Sequence, residues 1–190
     1  SAALAAGLAP LATGTDTFGS IRLPAAMCGI YGLKPTYGLV STYGLIPSAW
    51  SLDHAGPMAR SVSDLALMLN AMAGFDANDP ASLDVSIPNY AAGLNQGMRG
   101  VKIGIPQYYL EGLDQDVEKL FNNAIVTLKN LGAEVREIEI PELSLSTFSG
   151  YTIVGGEAST FHYEYLQRRI QDYAADNRIF LLSGALAKAT

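Results

Sequence analysis

The hydrophobic period changes twice between residues 101 and 140, and no other feature of the chain restricts the fold as much. Val101–Pro106 (V-K-I-G-I-P) is short and rich in β-branched residues, as a strand requires. From Asp114 to Gly132, the residues Val117, Leu120, Phe121, Ala124, Ile125, Leu128 and Leu131 recur at three- and four-residue steps. That spacing predicts one helix whose apolar stripe faces a core. Glu134–Ile140 (E-V-R-E-I-E-I) then alternates, which predicts a half-exposed strand. Strand, helix, strand in this order is a βαβ-like unit, so the class is α/β.

Elsewhere the expected elements are shorter. Residues 1–9 are nearly all Ala, Leu and Gly, a helical composition that Pro10 should stop. Pro10–Ser20 reads as a short buried strand running into a loop. Ile21–Cys28, with Pro24 near its start, reads as one or two helical turns. Residues 29–47 carry Gly or Pro every few positions and must form loops and short strands. Ser61–Gly74 predicts a helix with Ser61 as N-cap, Asp64 in its first turn and Gly74 at its end. Phe75–Gly100 reads as a long surface connection. Leu143–Tyr173 is helical again, with Gly155–Gly156 as a candidate break, and the closing A-L-A-K-A-T keeps a helical pattern.

A chain of 190 residues can bury a sizeable core and is most simply one domain. With 49% hydrophobic and 16% charged residues it has a globular balance. The formal net charge is −6, with acids and bases interspersed. That excludes a broad nucleic-acid-binding face and favours a small or neutral ligand. Cys28 is the one cysteine, which rules out an internal disulfide and a cysteine zinc cage, and suits the cytoplasm as the expected location. No apolar run reaches the roughly 20 residues needed to span a bilayer, so no membrane partner is expected. No basic stretch precedes an apolar core at the start of the chain.

The stretch G-T-D-T-F-G-S (Gly14–Ser20) places one hydroxyl, Ser20, after a tight polar loop. Acyl transfer to a serine needs an accessible hydroxyl and backbone N–H groups that converge on the oxyanion. Thr17, Phe18, Gly19 and Ser20 offer consecutive backbone donors, and Asp16 and Arg22 flank them with opposite charges that can pin the loop. On pattern alone the same residues also suit an ordinary Gly-Ser turn.

The stretch G-L-A-P-L-A-T-G-T-D-T-F-G-S-I-R-L-P-A-A-M-C-G-I-Y-G-L-K-P-T-Y-G resembles the amidase signature family, serine hydrolases that cleave carboxamide bonds. The similarity continues through Y-G-L-I-P and S-L-D-H-A-G-P-M-A-R-S-V-S-D-L-A-L-M-L. It extends more loosely through V-K-I-G-I-P and L-G-A-E-V to R-I-F-L-L-S-G-A-L. The resemblance implies a mixed, twisted sheet covered by helices. It implies Ser20 as nucleophile, Thr17–Ser20 as the oxyanion loop, Asp16 and Arg22 as its supports, a small-molecule amide as substrate, and neither cofactor nor metal. The family completes its catalytic set with a bridging serine on a cis peptide bond and a lysine whose depressed pKa lets it accept a proton. Both lie upstream of the matched residues. Ser1 resembles the tail of the loop that carries the bridging serine, and Lys34 belongs to G-L-K-P-T rather than to the catalytic lysine. The chain is therefore expected to be the central part of a longer enzyme, without its N- and C-terminal portions, and inactive on amides by itself.

Phe18 departs from the family, where most members carry glycine; a positive φ would strain it there. Two alternatives stay open: the glutaminase-type subunit of a glutamine-dependent aminoacyl-tRNA amidotransferase, which works with a partner subunit, and a catalytically inert scaffold or interaction fragment. A homo-oligomer is also open. His54 and His162 invite a Ser-His-Asp reading with Asp53 or Asp16 as orienter, but nothing in their spacing supports it. Cys28 lies in an apolar stretch without a basic neighbour, as a packed thiol does. Tyr31, Tyr37 and Tyr43 suit either a pocket wall or loop packing. Glu157, His162 and Glu164 are too loosely spaced for a metal site.

Overall fold

The computed structural model describes residues 1–187. Its packing groups into two compact units: Ser1–Ala92 together with the chain from Gly150 onward, and Gly93–Ser149 between them. In the first unit, helix α1 (Ala2–Ala5) precedes strand β1 (Leu11–Asp16), helix α2 (Arg22–Met27), strand β2 (Tyr31–Gly32), strand β3 (His54–Ala59) and helix α3 (Val62–Met72). Helix α1 is shorter than its composition predicts. Gly7 takes φ 74°, and the N–H of Leu8 closes back on the Ala3 carbonyl at 2.9 Å, a Schellman-type stop ahead of Pro10. Ser61 caps α3 by accepting the Asp64 N–H at 3.1 Å.

The three strands form an antiparallel sheet in the order β1-β3-β2, with Asp16 opposite His54 and Gly14 opposite Gly56. The central strand is the element that sequence reading misses, because Pro57 argues against an interior strand. Here the Pro57 carbonyl accepts the Leu33 N–H, so its proton-less nitrogen faces the β2 side, past the end of a two-residue strand. No ladder bond is lost.

Each strand contributes a glycine beneath Ile21. A Cβ on Gly14, Gly32 or Gly56 would come within 2.9–3.1 Å of the Ile21 side chain. Fully buried Ile21 thus sits directly on the sheet, in a cluster with Leu4 and Met58. It follows Ser20 in the chain, so this seat fixes the height of the loop above the strands.

In the second unit, β4 (Lys102–Pro106), α4 (Gln115–Asn130) and β5 (Glu134–Ile138) form the expected βαβ unit, with β4 and β5 parallel. The α4 stripe does not face a core. Phe121, Ile125 and Leu128 are half-buried, while Val117, Leu120, Ala124 and Leu131 are exposed, because a two-stranded ladder is too narrow to cover the whole stripe.

Helix α5 (Leu143–Phe161) runs through Gly155–Gly156 without the anticipated break. Gly155 serves close packing instead: a Cβ on Gly184 of helix α7 (Ala175–Ala187) would lie 2.0 Å from the Gly155 carbonyl oxygen. The helical run actually stops at His162, before α6 (Tyr163–Arg169). Ala158, Leu166 and Leu181 form the small core of these helices. Of the closing A-L-A-K-A-T, residues 188–190 lie outside the described residues. No described helix is long and apolar enough to cross a membrane.

Candidate active site

Strand β1 ends on Asp16, which is wholly buried. Its Oδ1 accepts the Gly19 N–H at 2.7 Å, and its Oδ2 accepts the N–H groups of Ile21 at 3.2 Å and Arg22 at 3.4 Å. The Arg22 guanidinium closes a bidentate pair, Nε to Oδ2 and Nη2 to Oδ1, each at 3.0 Å. Burial by itself would raise the Asp16 pKa. The hydrogen bonds from Arg22, Gly19 and Ile21 outweigh it and hold the carboxyl at about 2.

Around this clamp the chain turns sharply. Gly19 takes φ 124°, a left-handed value that favours glycine, and no described non-glycine residue has a positive φ. Phe18 therefore sits in the loop without that strain. Its ring packs edge-on against Tyr151 at 5.5 Å and fills the space over Gly150, where a Cβ would lie 2.4 Å from the ring. Ser20 is exposed, and its hydroxyl has no hydrogen-bond partner among the described residues. The four backbone donors of the loop are not alike in their hydrogen bonding. The Gly19 N–H is turned back onto Asp16, whereas no acceptor for the N–H groups of Thr17, Phe18 and Ser20 is found among the described residues.

Asp53 is a second support, which the sequence suggests only as the orienter of a histidine. Its Oδ1 accepts the Thr17 hydroxyl at 2.5 Å, and its Oδ2 accepts the N–H groups of Ser48 at 2.8 Å and Ala49 at 3.0 Å. The signal was its place in S-L-D-H-A-G-P, immediately before β3. His54 makes no triad with Ser20. Its Nδ1 lies 2.6 Å from the Leu52 carbonyl, which can only accept, so Nδ1 carries the proton. Nε2 then accepts from Lys34 Nζ at 3.0 Å. His162 joins Tyr173 instead, Nδ1 to hydroxyl at 2.8 Å, and burial lowers its pKa. Cys28 is half-buried at the end of α2. Glu157 accepts from Ser51 rather than meeting Glu164. No group of three metal-ligating side chains occurs among the described residues.

A cavity of about 450 Å³ opens beside the loop at Thr15 and Thr17. Tyr37, Tyr43, Trp50 and Phe161 line it, with Asp53 and Asp79. Ser20 is not among its lining residues, and Tyr31 lies outside it, on β2. Asp79 is buried. Burial opposes its ionisation, but the N–H groups of Thr42 and Ala81 and the Thr42 hydroxyl bring its pKa below the usual value.

Comparison with known proteins agrees with this architecture. The family model described as Amidase matches residues 1–184. An amidase of Pseudomonas putida is 46% identical over 100% of this chain and 41% of its own length. A glutamyl-tRNA(Gln) amidotransferase subunit of Chromobacterium violaceum is 53% identical over 84% of this chain and 33% of its own. The crystal structure of the corresponding protein from Thermotoga maritima superposes with a TM-score of 0.83 at 36% identity, covering 98% of this chain and 41% of that one. An α/β chain with this loop and these relatives belongs to the amidase family, the amidase signature enzymes. It spans less than half the length of the relatives it matches.

Proposed function

We propose that this chain carries the nucleophile and oxyanion loop of an amidohydrolase that cleaves a carboxamide C–N bond through a serine acyl-enzyme. Ser20 attacks the carbonyl, and the N–H groups of Thr17, Phe18 and Ser20 receive the developing negative charge. Asp16 and Arg22 hold the loop in place from behind, and the Gly19 N–H belongs to that brace rather than to the hole. In this reading the lysine and bridging serine that take the proton stand outside the chain. The amide breaks as the proton reaches its nitrogen, ammonia or an amine leaves, and water then releases the carboxylate. Loss of one oxyanion donor costs about 10²- to 10³-fold in rate, so the loop matters as much as the nucleophile.

One observation carries the reading. An exposed serine hydroxyl follows N–H groups left unengaged, over a buried carboxylate that accepts the neighbouring ones. A fluorophosphonate applied to the intact enzyme and mapped by mass spectrometry tests it. Labelling at Ser20, lost in Ser20→Ala, is expected; labelling at another serine overturns it. The 190-residue chain alone is expected to leave amides unhydrolysed. Turnover by that chain, abolished in Ser20→Ala, would place the base within it.

A second reading is favoured by the 53% identity to a glutamyl-tRNA(Gln) amidotransferase component. In it, the ammonia released from glutamine passes to a partner subunit. Copurification of a stable partner with the full-length protein, together with glutaminase activity that depends on it, distinguishes this from a free-standing amidase.

A further inference from the structure

We infer that Lys34 and His54 are positioning residues for the oxyanion: through the turn 48–53 and Asp53 they set where the Thr17 N–H points. The inference rests on the function proposed above. It gives a role to G-L-K-P-T and S-L-D-H-A-G-P, two motifs that the chemistry at Ser20 leaves unused.

The register of the sheet shows how Thr17 is held. The ladder between β1 and β3 ends with Asp16 opposite His54, and one step further the same register sets Thr17 opposite Asp53. There the main chains do not join. The Asp53 N–H goes to the Ala49 carbonyl at 2.8 Å, and the Thr17 N–H has no acceptor among the described residues. The side chains meet instead, as they do at the rungs of an antiparallel pair that exchange no main-chain bond. The Thr17 hydroxyl reaches Asp53 Oδ1 at 2.5 Å. This side-chain rung holds Thr17 to the sheet while leaving its N–H for a ligand.

Asp53 holds Thr17 only as firmly as its own turn is held. Asp53 Oδ2 accepts from Ser48 and Ala49, and the Ala49 carbonyl accepts the Leu52 N–H at 2.9 Å. These bonds close the turn on itself. Glu157 ties down its outer side at Ser51. Beside Asp53 the anchor is the segment that follows β2. The Leu33 N–H bonds the Pro57 carbonyl at 3.0 Å, which seats Lys34 next to β3. Lys34 Nζ then donates to the Pro35 carbonyl at 2.9 Å and to His54 Nε2 at 3.0 Å. His54 is buried, and its Nδ1 donates to the Leu52 carbonyl at 2.6 Å, so the imidazole clasps the backbone on either side of Asp53. Tyr37 adds a strut: its hydroxyl donates to the Trp50 carbonyl at 2.7 Å, and its ring stands edge-on to His54 at 5.5 Å. Lys34 has no carboxylate partner among the described residues. Its contact with Nε2 keeps that nitrogen an acceptor and Nδ1 a donor, the tautomer that the Leu52 carbonyl requires.

A donor turned away from an oxyanion costs transition-state stabilisation and leaves ground-state binding alone. The readout is the rate of Ser20 labelling by a fluorophosphonate in the intact enzyme, with the maximal rate separated from the saturation constant. His54→Leu and Lys34→Met should each lower the maximal rate about ten- to thirtyfold, less than the loss of a whole oxyanion donor. The saturation constant should not move. His54→Gln, whose amide can donate to Leu52 and accept from Lys34, should recover most of the rate. In Thr17→Val, which lacks the hydroxyl, His54→Leu should add no further loss, because both act along one path. Circular dichroism checks each fold; if His54→Leu does not fold, Lys34→Met replaces it in the pairing with Thr17→Val. Four results would each overturn the positioning role: parental rates in the single variants, a loss confined to the saturation constant, no recovery in His54→Gln, or losses that multiply with that of Thr17→Val. In all four, Ser20 is still labelled and the hydrolase reading stands. Absent labelling of Ser20 in the unaltered enzyme removes the hydrolase reading, and this inference with it.

Discussion

Five hydrogen bonds converge on the carboxylate of Asp16, three from backbone N–H groups and two from Arg22. They keep a fully buried acid ionised. Its folded-state pKa of about 2 lies below the ordinary 3.8, so its contribution to stability is complete above pH 3.8 and disappears as pH falls through about 2. Asp16→Asn keeps the shape but loses the charge. It should destabilise the fold by about 1–3 kcal/mol at neutral pH, at the lower end because the Arg22 side chain is half exposed and can turn to water. Urea unfolding across pH should show the gap between the two proteins closing from pH 4 downward. A gap that stays constant to pH 2 would mean that the carboxylate is not the source. At this scale the sequence was largely readable, since Asp16, Arg22 and Ser20 stand within a few positions of one another. Asp53 was not readable as a support for Thr17, because a contact across 36 positions leaves no local spacing to detect.

Helix α2 has six residues and no side-chain cap, too little to stand on its own propensity. Tertiary packing holds it, through Ile21 seated on one glycine from each of three strands. Ile21→Ala should leave a cavity and cost about 2–5 kcal/mol. Gly56→Ala strikes the same seat from below. Its Cβ would lie 2.3 Å from the Leu33 carbonyl, backbone that has nowhere to go, and a loss of about 1–3 kcal/mol is expected. Thermal or urea unfolding of both variants checks the pair, and a neutral Gly56→Ala would show that the sheet can shift to admit a methyl. The helices and the βαβ unit were legible from period and caps. Strand β3 was hidden by Pro57, and the role of Gly155 was read as a break because a glycine in sequence does not reveal whether another backbone lies against it.

For the whole molecule, the two units are unequally built. The first unit holds a fully buried Leu4 and Ile21 beside Met58. In the second, α4 has no buried residue, and Ile105 and Ala133 are its buried apolar side chains. Local opening follows buried apolar contact. Hydrogen exchange should therefore find the amides of β4, α4 and β5 exchanging faster than those of β1 and β3. Equal protection would mean that the second unit opens only when the first does.

What the residues alone determined is local. Hydrophobic period set the α/β class, turn and cap residues marked the helix ends, and the order T-D-T-F-G-S-I-R put a hydroxyl, a run of amides and an ion pair within one loop. What the tertiary structure decided is everything that depends on distance through space. It chose which amides of the loop are spent on Asp16, and it brought Asp53 to Thr17. It also gathered the rings of Tyr37, Tyr43, Trp50 and Phe161 around one cavity. Hydrogen-bond partners and packing neighbours are selected by proximity after folding, and proximity is the one property that order along the chain does not encode.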